Sequence, residues 1–420
     1  MIFDKDNWQE IFIALKSNKL RTALTAFGVF WGLFMLIVLI GSGRGLYNGA
    51  TKAFKNIATN SVFIWPRQST KPYKGFNRGR RFHFNNSDID ALKENLTDLE
   101  YLAPRIQLGG HRATSTVSRG LKNGSFTTYG DFPEIINIRS VNIMNGRFIN
   151  DNDIKDKRKV AVIGKRVKKL LFDDDEKYMG EYIKINGVDF RVVGLFGSYA
   201  TGDDAERDEE TLIVPFSSFQ QAFNYNNIVG YFALTSVKGV PVSIVKDRAL
   251  KILASRHNIA PDDTMAFGHW NLEKVYIKIN NLFLGINGLN WFVGILSLLA
   301  GIIGVSNIML IIVKERTREI GIKRAIGATP LDITGQIVLE TVFLTTVSGY
   351  AGLFLGVSLL EIVSAVIEKY GKIEMFKSPE VDLQISLIAF AILVVSGVLA
   401  GLIPAKRAID IQPVNAISVN

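Results

Sequence analysis

Between Ile279 and Val313 the chain sets down 35 residues without a single charge. A helix needs roughly 20 apolar residues to cross about 30 Å of hydrocarbon. Three further uncharged runs reach that length: Ala23–Gly43, Thr341–Leu360 and Leu383–Ala405. One such run fits a buried core helix; four in 420 residues predict an integral membrane protein. Composition agrees, with 48% hydrophobic residues and a mean hydropathy of +0.19. The expected fold class is a membrane protein of four transmembrane α-helices. A large α+β extracytoplasmic domain, residues 44–280, is expected between the first helix and the second.

Short segments orient the chain, because Lys and Arg accumulate on the cytoplasmic side. Residues 1–22 hold Lys5, Lys16, Lys19 and Arg21. Residues 314–332 hold Lys314, Arg316, Arg318, Lys323 and Arg324, and the 404–420 tail holds Lys406 and Arg407. The 361–382 loop carries three lysines against five acids. Both termini are therefore expected in the cytoplasm and residues 44–280 and 361–382 outside. The spans are 23–43, 281–313, 334–360 and 383–403. The first run also has the look of a secretory signal. It is longer than the usual apolar core of one, and it leads into Gly-Ser-Gly-Arg-Gly rather than a small-x-small cleavage site, so it reads as an uncleaved span.

The formal charge of +10 sits mostly in the outer domain, which holds 35 basic and 26 acidic residues. Nucleic acid is one reading of such a balance. A domain that meets an anionic membrane or envelope surface is the simpler one, so membrane lipid is an expected partner and nucleic acid is not. Arg78, Arg80 and Arg81 read as a solvated loop, with contact to lipid head groups or an acidic partner as the alternative. The chain has no cysteine, so the outer domain must fold on its core alone.

Strand patterns recur at Ser61–Trp65, Lys159–Ile163, Phe190–Val193 and Leu212–Pro215, and residues 111–214 are β-rich. Asn186-Gly187 is a hairpin turn of the primed kind. Helices are expected at Asp88–Leu96 behind Ser87, at Ser217–Phe223, and at Ile244–Arg256 behind Ser243. Residues 201–210, TGDDAERDEE, read as a mobile loop. No reaction centre or metal site stands out. His83, His111, His257 and His269 lack ligand spacing. Asp151 and Asp153 open like a calcium loop, which Lys155 and Asp156 break. Gly41–Gly45 follows a membrane helix rather than a strand and reads as a flexible exit from the bilayer. No G-x-x-x-x-G-K-[ST] occurs, so this chain is not expected to bind ATP by itself.

As one helix the 35-residue run would be about 52 Å long, against about 30 Å of hydrocarbon. Several turns must project outside, where Asn280, Asn287 and Asn290 dot the run. Residues 44–60 would make a matching projection, so that two helices form a stalk; a tilted helix plus a loop is the alternative. At the other end seven charges crowd together: Lys314, Glu315, Arg316, Arg318, Glu319, Lys323 and Arg324. In lipid each would cost on the order of 2.5–3.5 kcal/mol, so this stretch lies in or below the cytoplasmic head groups. Gly327 fits a helix C-cap, and Thr329, Pro330 and Asp332 restart a helix. Ile320, Arg324 and Gly327 fall on one side; Ile322, Ala325 and Ile326 fall on the other. A helix docked on both membrane and protein suits this mixture. So does a basic loop that only fixes orientation. Glu340, about two turns into the third span, either reaches back to the surface or pairs with a basic group near the charged helix. Gly349, Gly352 and Gly356 invite close helix packing, and Gly352-x-x-x-Gly356 is a weak dimer signal.

GVSNIMLIIVKERTREIGIKRAIGATPLDI resembles the permease subunit of MacB-like ABC transporters, the mechanotransmission group that includes FtsX and the Lol lipoprotein permeases. ALKSNKLRTALTAFGVFWG is similar to that family's entry into the first span. KVAVIGKRVKKLLF, YIKINGVDFRVVGLF and LIVPFSSFQ resemble its extracytoplasmic domain, and GLIPAKRAIDIQPVNAI resembles its C-terminal end. The resemblance implies that the helix around Lys314–Ile326, including Ile320, is a coupling helix seated on a separate ABC ATPase subunit, which binds ATP and Mg. It implies that Trp8, Ile11, Phe12 and Leu15, spaced for an amphipathic helix, lie along the inner membrane surface. It also implies a second permease chain, as homodimer or related heterodimer. A periplasmic adaptor and an outer-membrane channel are further partners in a tripartite arrangement. ATP hydrolysis in the partner would move the outer domain and drive efflux or export of a drug, peptide or lipoprotein from the periplasmic side. Two alternatives keep the same topology: an FtsX-like regulator of a cell-wall hydrolase, and a membrane receptor without an ATPase. An enzyme is not expected.

Overall fold

The computed structural model describes residues 19–200, 202–370, 379 and 383–410. They form a helical unit, up to Ala50 and from Asn280 onward, and a mixed unit, Thr51–Ile279. The chain begins with α1 (Lys19–Thr51) and passes through a 3-10 turn into the mixed unit.

The mixed unit runs β1 (Ser61–Pro66), β2 (Phe84–Asn85), α2 (Asn86–Asn95), β3 (Leu99–Gln107), β4 (Ser115–Arg119) and β5 (Lys122–Asp131). Then come α3 (Ile135–Ile138), β6 (Asn142–Gly146), α4 (Asp151–Lys155), β7 (Val160–Gly164), α5 (Lys165–Leu171), β8 (Tyr182–Ile185) and β9 (Val188–Gly197). It closes with α6 (Asp203–Glu209), β10 (Thr211–Pro215), α7 (Phe216–Ala222), β11 (Ile228–Val229), β12 (Tyr231–Ser236), α8 (Val242–Arg256) and β13 (Phe267–Asn271). β5 is the pivot. Its first half pairs with β4, and its second half pairs with β3 and, in parallel, with β10. The order β10-β7-β9-β8-β4-β5, with β5 also against β10, closes six strands into a ring. From β5 the sheet continues openly through β3, β12, β1 and β13. Phe126, Phe190, Phe219 and Phe232 are fully buried in one core. The hairpin at Asn186-Gly187 joins β8 to β9 with both φ angles positive, as a primed turn demands.

Several local expectations are corrected. Ser87 does not cap α2. Asn85 does, accepting from the Asp88 N–H while the Asp88 side chain accepts from the Asn85 N–H. The reciprocal pair satisfies two orphan donors and starts the helix earlier. Nor does Ser243 cap α8: the helix begins at Val242, whose N–H donates to Glu273 from a distant segment, and Ser243 Oγ accepts from Asn271. Residues 203–209 are helical rather than a mobile loop. Their acids crowd the first turn, where the helix dipole favours them, and Arg166 pairs with Glu206 and Glu210. Arg80 is not merely solvated: it donates to the Asn258 and His257 carbonyls and lies 3.9 Å from the Phe76 ring centre.

The helical unit resumes with α9 (Leu272–Glu315), α10 (Thr317–Ala325), α11 (Pro330–Tyr370) and α12 (Leu383–Ile409). α1, α9, α11 and α12 each contain a stretch long and apolar enough to cross a membrane. Leu33, Leu36, Ile37, Val305 and Leu393 are buried between them. Gly41–Gly45 is not a flexible exit but part of α1, held by α9. Asn290 donates to the Leu39 carbonyl at 3.0 Å, and Tyr47 sits edge-on to Phe283 at 5.3 Å. Gly43 leaves room for this, since a Cβ there would lie 2.9 Å from Asn290 Nδ2. Residues 361–370, expected in an outer loop, continue α11, and the fourth helix runs on through Pro404 to Ile409.

Candidate functional site

α9 stops being helical at Arg316, whose φ of −95° and ψ of 13° separate it from α10. The break turns one apolar helix into a short charged one. Arg316 is the anchor. Its Nη1 lies 3.1 Å from Glu340 Oε1 on α11, and its Nε lies 3.2 Å from Glu319. The Glu340 side chain is only 5% exposed, so this carboxylate pairs with the charged segment rather than reaching for the surface. Two more ties hold α10 to the bundle. Lys323 Nζ donates to Gln336 at 3.4 Å, and Arg324 Nη1 donates to the Ile409 carbonyl at 2.6 Å. The second places a cation on the C-terminal carbonyls of α12, where charge and dipole agree.

The opposite face is open. Ile320 and Gly321 are buried, while Arg318, Glu319, Ala325 and Ile326 are exposed. Lys314 and Glu315, the last residues of α9, are exposed as well. Ile322 is 42% exposed and Ile326 82%, with Leu331 at 81% just beyond. Three bare branched side chains among charges form a surface that water alone does not favour.

α10 ends in a Schellman arrangement. The Ala328 N–H donates to the Lys323 carbonyl at 3.0 Å, and the Gly327 N–H to Arg324 at 3.2 Å. Gly327 has φ of +113°, which a side chain would strain. Thr329 and Asp332 then exchange side-chain and backbone hydrogen bonds, a full capping box, with Pro330 at the first helical position of α11.

Gly349, Gly352 and Gly356 meet helices of the same chain. A Cβ on Gly349 would touch Leu393, one on Gly352 would lie 2.5 Å from the Phe30 carbonyl, and one on Gly356 would lie 3.0 Å from Ile37. The Gly352-x-x-x-Gly356 stripe thus faces α1 rather than a second copy. Gly28 and Gly32 on α1 carry the same small-xxx-small signal and seat α1 against Gly301 and Ser297 of α9. Trp8, Ile11, Phe12 and Leu15 lie outside the described residues.

In the mixed unit the buried charges are structural. Asp88 accepts from His257 Nε2 and Arg256 Nε, each at 2.7 Å. Burial pushes its carboxyl up, but these bonds and the Asn85 N–H outweigh that and hold it below the ordinary range. Asp153, at the start of α4, pairs with Arg147 instead of opening a cation loop. Arg105 and Asp131 form a fully buried pair at 2.7 Å.

The geometry defines a multi-pass membrane protein with four spanning helices and a large α+β domain inserted between the first two. The family model for the MacB-like periplasmic core domain matches residues 22–251, and that for the FtsX-like permease C-terminal matches residues 291–413. The chain belongs to the MacB-like family, and it is an inner-membrane protein with a periplasmic domain. Among relatives, the pyoverdine export ATP-binding/permease protein PvdT of Pseudomonas entomophila is 28% identical, over 98% of this chain and 58% of its own length. The macrolide export ATP-binding/permease protein MacB of Bdellovibrio bacteriovorus is 25% identical, over 97% and 60%. The chain therefore spans less than two thirds of the length of these relatives. Among solved structures, the periplasmic region of MacB from Actinobacillus actinomycetemcomitans aligns with a TM-score of 0.43 at 18% identity, covering 54% of this chain and 96% of that one.

Proposed function

We propose that this chain is the permease component of an ABC exporter and that α10 is its coupling helix. One observation supports this most. A charged helix is tied to the spanning bundle through Arg316, Lys323 and Arg324, while Ile322, Ile326 and Leu331 stay bare on the outward side. A helix that only marked orientation would need neither the ties nor the bare side chains. A separate ATPase subunit, holding ATP and Mg, seats on that face. α9 starts at the residue after β13 and ends one residue before Arg316, so a push on α10 enters a single helix of 44 residues. Export of a drug, peptide or lipoprotein from the periplasmic side fits the export names of the relatives. A second permease chain, and an adaptor with an outer-membrane channel, complete the assembly.

The test is purification of the chain from its native membrane in mild detergent, followed by assay of ATP hydrolysis. Activity is expected to co-purify, and to be lost when Arg318→Glu is combined with Ile326→Asp. Leu121→Asp, at a fully exposed leucine of the mixed unit, should leave it intact. Hydrolysis that stays with the double variant, or none in any preparation, overturns the proposal.

A further inference from the structure

The mixed unit holds a cavity of about 290 Å³ on one face of the parallel β5–β10 pair, at the lower end of ligand-pocket size. Alternation along the two strands presents Thr127 and Tyr129 of β5 beside Thr211 and Ile213 of β10. Phe148, Phe196, Val141 and Ile135 make an apolar wall. The polar part is dominated by arginine: Arg105, Arg112, Arg139 and Arg207 all line the space.

The acids of the lining cancel only one of these charges. Asp208 is committed to Arg139 at 2.6 Å and to the Ser198 hydroxyl at 2.8 Å. Glu210 is committed to Arg166, 2.9 Å away, which lies outside the cavity lining. At the cavity floor Arg105 lies 3.7 Å from the Tyr129 ring centre and pairs with Asp131. Among the described residues Arg112 and Arg207 make no ion pair, although both border the same cavity. Two exposed arginines without an ion pair, bordering the same half-enclosed space as an apolar wall, are suited to a planar anion with a greasy body.

We propose that this cavity is a binding site for a small amphipathic organic anion, with its acidic group held by Arg112 and Arg207 and its apolar body against Phe148 and Phe196. The site lies wholly within the mixed unit and does not depend on the export reading. A carboxylate and a phosphate monoester share the chemistry that the arginines recognise.

The test is calorimetric titration of the full chain in nanodiscs with benzoate, phenyl phosphate, benzamide and benzylamine. One or both anions should bind at least about tenfold more tightly than benzamide, the benzoate-to-phosphate ratio identifying the preferred head group. Benzylamine should not bind. Arg112→Ala and Arg207→Ala, both at exposed positions, should each weaken the anion about fivefold or more and leave benzamide unchanged. Arg119→Ala, whose partner is Glu176, should change nothing. Equal affinity for anion and amide, no anion binding at millimolar concentration, or unchanged anion affinity in both arginine variants overturns the proposal.

Discussion

The Arg316–Glu340 pair sets how firmly α10 is held, and its removal can be read directly. Replacing Arg316 by Ala takes the guanidinium away from a carboxylate that is 5% exposed. Breaking a buried pair from one side costs roughly 3–5 kcal/mol. Because Arg316 is 26% exposed, water screens part of the loss and the lower end applies, about 3 kcal/mol. Because the chain contains no cysteine, Ile320→Cys is a clean reporter on the buried side of α10. Its labelling by a water-soluble maleimide measures how often α10 lifts away. A loss of about 3 kcal/mol corresponds to labelling roughly a hundredfold faster in the Arg316→Ala background. Glu340→Gln keeps a hydrogen-bond acceptor and should quicken labelling about tenfold or less, as for an ordinary buried hydrogen bond. Arg316→Ala with Glu340→Ala should recover much of the protection, since the buried carboxylate is removed together with its guanidinium. Glu319, 68% exposed, is the control; Glu319→Gln should change labelling by no more than about fivefold. Labelling that rises less than about threefold in Arg316→Ala, or a double variant as fast as the single, would refute the reasoning.

Three further outcomes are expected. Gly352→Ala drives a methyl to within 2.5 Å of the Phe30 carbonyl and should cost about 1–3 kcal/mol in detergent melts, whereas Gly304→Ala, with open space around it, should be neutral. Gly327→Ala forces a side chain to φ +113° and should cost about 1–2 kcal/mol, again visible as faster Ile320→Cys labelling. Asp88→Asn should loosen α2 and α8 by about 2–4 kcal/mol, read by hydrogen exchange. The Asp88 carboxyl sits below its ordinary range, so its contribution is complete above about pH 4 and fades as pH falls through the lower folded value; the variant and parent should therefore converge in strong acid.

The spanning helices were legible because uncharged runs of twenty or more residues have few other uses. The hairpin at Asn186-Gly187 was legible because only one turn type suits that pair next to alternating strands. Helix starts were not. Serine is a good cap in principle, but at Ser87 a box two residues earlier wins, and at Ser243 a carboxylate thirty positions away, Glu273, takes the role. The charges around Arg316 could be read as a cluster, yet the tie from Arg324 to Ile409 depends on where α12 ends in space. The ring closure by β5 and β10 is likewise a long-range parallel pairing that no local pattern announces. Trp8, Ile11, Phe12 and Leu15 fall outside the residues that the structure describes.

β1 and β13 are neighbours at the outer margin of the open sheet, with Val62 opposite Asn271. β13 runs without a gap into α9, and β1 follows α1 after residues 52–60, which begin with a 3-10 turn. The strands by which the chain enters and leaves the mixed unit are thus joined in a single seam of hydrogen bonds. The two ends of the mixed unit cannot be drawn apart without unzipping that seam. Within the sheet, that seam reaches the closed ring only through β12 and β3.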